Sequence, residues 1–180
     1  MNRTHLEGAA EALAAQQGYA FHTGPEDGMA HTVRSYPAAW LAPLELHAVE
    51  GCGHGRATYD MTLHLLSSGA RLSPTERRAA LARMEEQLLE IFAALSLDER
   101  VLAVEGLSVR PRAFALTPHG EISQTAAARI VTCFLFGAPR LLRRHRPGPA
   151  QGTALSAHEK AAKGGGARLR RNDISQNTIQ

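Results

Sequence analysis

Long hydrophobic runs are missing from this chain of 180 residues. Its apolar stretches fall well short of the roughly 20 residues that a bilayer-spanning helix needs. The N-terminus has no charged-then-oily signal pattern, so the expectation is a cytoplasmic protein. Cysteine is scarce as well: Cys52 and Cys133 cannot make a disulfide framework. Cys133 lies in the apolar run RIVTCFLF and reads as an inert core residue.

Catalytic signatures are also absent. There is no G-x-S-x-G nucleophile elbow, and neither cysteine has an obvious activating neighbour. The glycines of GCGHG at 51–55 come nearest to a phosphate cradle, but they lack the P-loop lysine and lead into a strand rather than a helix. His47, Cys52, His54 and His64 are close in sequence, yet they form neither a closely spaced cysteine pair nor H-E-x-x-H. They read as surface or cross-strand residues. Glu85, Glu86 and Glu90 belong to a solvated helix face with Arg78 and Arg83 as salt-bridge neighbours, and Asp98 and Glu99 to a turn. None of these resembles an acid/base pair held in a pocket. The expectation is a protein that is not an enzyme, with no catalytic residue, no metal ligand and no cofactor.

Charge is present but unevenly spread. Residues 1–137 hold 11 basic and 15 acidic side chains, a balance of −4, whereas residues 138–180 hold 9 and 2, a balance of +7. The pI of about 9.2 therefore belongs to the C-terminal stretch and not to the body. Hydrophobic residues make up 44% of the chain, enough for one ordinary core. The division expected is a single α+β domain over 1–137, followed by a basic tail over 138–180 that has too few large apolar side chains to order alone.

The stretch SPTERRAALARMEEQLLEIFAALSL at 73–97 is the most legible element. Ser73 predicts an N-cap, Pro74 the first helical position, and Glu76 completes a capping box. Leu81, Met84, Leu88, Ile91 or Phe92, and Leu95 recur on one face. Residues 4–17 predict a short Ala-rich helix capped by Thr4 and stopped by Gly18. YAFH at 19–22 suggests a strand, TGPEDG a turn, and 31–36 an extended run, because Pro37 disfavours helix at Tyr36. Alternation in 40–50 (Leu44, Leu46 and Ala48 against Glu45, His47 and Val49) and in 56–66 (Tyr59, Met61, Leu63 and Leu65 on one face) predicts a long β-hairpin through the Gly-rich loop. One face of its sheet should be buried and the other wet or in contact with a partner. A short strand follows at 101–104, prolonged by 107–109 beyond a kink at Gly106, and a last strand at 122–136 reads as central. The fold class is α+β: a mainly antiparallel sheet with a long hairpin, packed on one face by a long amphipathic helix and a short N-terminal helix.

With the elements in that order, residues 4–136 resemble the tail terminator (tail completion, or neck) proteins of long-tailed bacteriophages and related particles. The text that carries the resemblance is RSYPAAWLAPLEL at 34–46, RATYDMTLHLL at 56–66, the helix at 74–95, DERVLAVEGLSV at 98–109 and HGEISQTAAARIVTCF at 119–134. The likeness is one of element order and hydrophobic pattern, since these proteins have no catalytic signature. It implies a homo-oligomeric ring, usually of six subunits, that caps the tail tube and meets the head-tail connector. The location implied is the virion tail or neck after assembly in the host cytoplasm. The alternative is a small nucleic-acid-associated module binding through Arg140 to Arg146 and Arg168 to Arg171. Such contact with DNA, or with an acidic protein, would be electrostatic and without base stacking, because aromatics are not interleaved there.

Overall fold

Ser73 starts the longest helix by reciprocal capping. The Glu76 N–H donates to Ser73 Oγ (3.3 Å) and the Ser73 N–H to the Glu76 carboxylate (2.8 Å), with Pro74 in the first turn. These contacts belong to a computed structural model that describes residues 2–135. In chain order the elements are α1 (Asn2–Gln16), β1 (Ala20–Thr23), a 3-10 turn (Glu26–Gly28), α2 (Met29–Thr32), β2 (Ala38–Leu41), β3 (Glu45–Glu50), β4 (His54–Ser67), α3 (Pro74–Leu95), β5 (Val101–Pro111) and β6 (Ile122–Leu135). The basic stretch 138–180, Phe136 and the expected domain boundary lie outside the described residues.

The strands form one six-stranded sheet in the order β1-β2-β4-β6-β5, with β3 also paired to β4. Only β1 and β2 run parallel; every other pairing is antiparallel. β4 and β6 match residue for residue from His54↔Leu135 to Ser67↔Ile122, and β2, β3 and β5 flank them over most of that length, so both are central. The α+β expectation holds, with α1 and α3 on the same face. That face buries Met61, Leu63 and Leu65 of β4 and Ala126 and Ile130 of β6 against Met84, Leu88, Ile91, Phe92 and Leu95 of α3. Ile91 and Phe92 are both buried, because a face this wide needs more than a single row.

α1 begins at Asn2, two residues ahead of the expected Thr4 cap. Asn2 donates to the Thr132 hydroxyl (2.8 Å) and the Cys133 carbonyl (2.6 Å), so the sheet anchors the first turn. Leu6, Ala10 and Ala14 form its buried edge, and small alanines let the helix lie close. Gly18 ends it as expected at φ +83°, with the Tyr19 N–H returning to the Ala14 carbonyl.

Two local expectations are corrected. The run 31–36 is not all extended: Met29–Thr32 is a helical turn, and extended backbone starts only at Val33. The turn places Met29 and Val33, four residues apart, on one buried face, while Pro37 restrains only its immediate neighbour. The strand at 40–50 is broken into β2 and β3. Between Leu41↔Leu63 and Glu45↔Asp60 the first arm has one residue more than β4, at the segment holding Pro43, which has no N–H to offer the ladder. A second irregularity between Leu46 and Ala48 puts Val49, not Ala48, on the same side as Leu46. β5 runs through Gly106 (φ +62°) as one bulged strand, the kinked prolongation expected.

The second face of the sheet is not uniformly wet. At the β2 end, Met29, Val33, Ala38, Trp40 and Leu66 make a second, smaller core under residues 24–36. Trp40 Nε1–H donates to the Gly24 carbonyl at 2.8 Å. A Cβ at Gly24, where φ is +149°, would stand 3.2 Å from the indole, so this position needs glycine twice over. No helix among the described residues is long and apolar enough to cross a membrane.

Candidate interaction surfaces

Polar side chains are buried where the smaller core meets the sheet. His64 on β4 is fully enclosed, its Nδ1 2.8 Å from the Thr125 hydroxyl of β6. Its Nε2 lies 3.1 Å from Glu26 Oε1, near enough for charge attraction but not aligned as a hydrogen bond. Arg112 closes the ring, donating to Glu26 Oε1 (2.9 Å) and to the Thr125 hydroxyl (3.2 Å). Burial pushes the imidazole pKa below its ordinary 6.5, and Arg112 adds to that, while the Glu26 carboxylate pulls the other way. Nearby, the buried Glu121 carboxylate accepts from the backbone N–H groups of Leu116 and Thr117 and from the Thr117 hydroxyl; the Tyr36 hydroxyl is 3.4 Å away. Burial raises the Glu121 pKa, but these donors outweigh it and hold the group below 4.5. Both clusters fasten residues 24–36 and 112–121 to the sheet, with His64 Nε2 the one buried nitrogen of the His64 cluster left without an aligned hydrogen bond among the described residues.

Further along the same face lies a shallow trough of about 480 Å³, beside the bulge at Gly106. Asp60 on its edge takes a contact from His47 Nδ1 (3.1 Å) and lies 3.6 Å from Arg129 Nε. His47 and His64 do share this face, but their partners Asp60 and Thr125 differ, and Asp60 and His64 are separated by roughly 13 Å of strand. Cys52 is exposed on the hairpin loop, and His54 is exposed at the start of β4. No group of three or more metal-type side chains converges among the described residues. Glu85 and Glu86 are exposed, and Glu90 accepts from Gln17 Nε2 at 2.9 Å. The expected ion pairs from Arg78 and Arg83 do not form among the described residues. Exposed long side chains gain too little from such pairs to be held in them.

The helix-bearing face ends before the sheet does. Past the start of α1, the tips of β3, β4 and β6 project as an overhang above a groove of about 850 Å³. Leu46, Val49, Ala57 and Tyr59 line it, with Arg3 and Arg100 beside them. Leu46 and Val49 are each about half exposed (50% and 51%), and Leu135 at the tip of β6 is 81% exposed. Cys133 is half-buried with its Sγ 3.7 Å from the Arg100 carbonyl, so it is not the core residue expected. The central strand is oily there because the overhang is apolar, not because both of its faces are covered. The nearby turn is fixed by His5 Nε2, which contacts the Asp98 carboxylate at 2.8 Å. Neither Arg3 nor Arg100 makes a salt bridge among the described residues.

Sequence reasoning missed Glu26, Arg112, Glu121 and Thr125, none of which belongs to a motif. It also placed Val49 on the wrong side, because alternation read without bulges inverts after one extra residue. No family model matches the chain, and no curated protein matches it.

Proposed function

We propose that this chain is a structural, non-catalytic subunit that assembles into a homo-oligomeric ring, in the manner of the tail terminator proteins of phage-like particles. The observation that carries the reading is the overhang. A lone domain has little reason to keep Leu46 and Val49 in water beside an apolar groove, and such patches mark protein contacts. The element order that motivated the resemblance is also retained, from the hairpin through the capped helix to the final central strand. The polar clusters of the other face support the same reading, since they are spent on internal fastening. In a ring that caps a tail tube and meets a head connector, a body of net charge −4 lets DNA slide without gripping it, provided the acidic side faces the channel.

Light scattering on the purified chain, alone and with tail tube protein, tests this. The expected result is a mass that is a multiple of 19.4 kDa, with rings at tube ends in electron micrographs. A monomer that neither associates nor binds tubes overturns it. The +7 balance of 138–180 favours one other reading, a nucleic-acid-binding module. Salt-dependent DNA binding that vanishes on removal of those residues, without any ring, would favour that module instead.

A further inference from the structure

We propose that the overhang groove of one copy receives the outer face of α3 from the next copy, so that subunits join head to tail. The contact presupposes the self-assembly just described and says which surfaces make it. α3 has a second, thin apolar stripe opposite its core face: Leu89 is 46% exposed, Ala93 is exposed, and Leu97 just past the helix end is 86% exposed. Spaced four residues apart, these side chains fall on one line, roughly 12 Å from first to last. The segment from Leu46 to Val49 spans roughly 10 Å of strand, so the lengths match.

Charge selects the occupant. Glu85 and Glu86 lie one turn before Leu89, exposed and in no salt bridge among the described residues. Arg3 and Arg100 beside the groove are in no salt bridge among the described residues either, although Asp98 feels the Arg100 charge, so a basic rim on one copy can meet the acidic turn of α3 on the next. Groove against groove would set Arg3 and Arg100 against their own kind. The chain's own continuation past Leu135 is basic in sequence, with Arg140, Arg143 and Arg144, so by charge it is no match for Arg3 and Arg100. A second copy offering α3 avoids both repulsions. Because the two surfaces differ, the contact is heterologous, and it closes into a ring when the rotation per subunit allows.

Cross-linking between two preparations tests the contact, both in a Cys52→Ser, Cys133→Ser background. One carries Val49→Cys and the other Leu89→Cys, each at an exposed position, with circular dichroism melting to confirm the fold. A bismaleimide is expected to join the chains only after the two are mixed. Cross-links within either preparation alone indicate a symmetric contact and overturn the proposal. No cross-link from a protein that still scatters as an oligomer overturns this contact and leaves self-assembly standing. No cross-link from a protein that stays monomeric at every concentration, both alone and with tail tube protein, removes both. In a second arm, Arg3→Glu with Arg100→Glu, and separately Glu85→Arg with Glu86→Arg, should each weaken self-association at least about tenfold. The four changes together should restore it; if they do not, the charge pairing is wrong and the proposal fails.

Discussion

His64 has a fully buried imidazole with a carboxylate and a guanidinium on either side of it. Its neighbours come from three other segments: Glu26 from the 3-10 turn, Thr125 from β6 and Arg112 just past β5. In the unfolded chain the ring takes up a proton near its ordinary value of 6.5, whereas in the fold burial resists that proton. The unfolded state therefore binds more protons as the pH drops below 6.5. Stability is full above that value and declines as pH falls toward the lowered folded pKa. His64→Asn keeps a polar group near Thr125 and removes the titration. Melting temperature followed from about pH 7 down to about pH 5 should fall in the wild type and stay flatter in the variant. Equal slopes would show that some other group sets the acid limit.

At the scale of elements, α3 states its own rules. Its cap is local chemistry within four residues, Ser73 to Glu76, and its phase separates adjacent leucines completely: Leu88 is buried and Leu89 is 46% exposed. Leu88→Ala should cost about 3 kcal/mol, because it leaves a cavity between helix and sheet. Leu89→Ala should stay within about 0.5 kcal/mol in the monomer. Denaturant unfolding of the two variants reads the difference, and similar losses would mean the helix is rotated from the phase described. The hairpin is the contrasting element. Its β4 arm is regular, but the arm of β2 and β3 bulges twice, and the second bulge brings Leu46 and Val49 to one side. The loop is tight: a Cβ on Gly51 would lie 2.2 Å from the His54 carbonyl oxygen, so little but glycine fits there.

Across the whole molecule the sheet has two regimes. Near β2 it is sandwiched between α1 and α3 on one side and residues 24–36 on the other; toward the hairpin tip it stands with little cover. Local stability should follow cover. In hydrogen exchange of the monomer, amides at 61–66 and 122–130 should be the slowest, and those at 45–50 and 54–58 should exchange sooner. Assembly should then slow the tip selectively. Uniform protection along β4 in the monomer would mean that the overhang is as stable as the core.

The sequence alone determined α3 from cap to last turn, the alternation of β4, and the strand that pairs with it. Those signals are periodic or span a few residues, so they survive without knowledge of the neighbours. It also determined the uneven charge along the chain. Only the tertiary structure decided which residues meet at His64, since Glu26 and Arg112 stand 86 positions apart and neither has a motif to announce it. It likewise decided that residues 24–36 cover a second face and that the hairpin outruns the helices. Bulges and element lengths are settled by pairing and packing between distant segments, where a shift of one residue exchanges an inward face for an outward one.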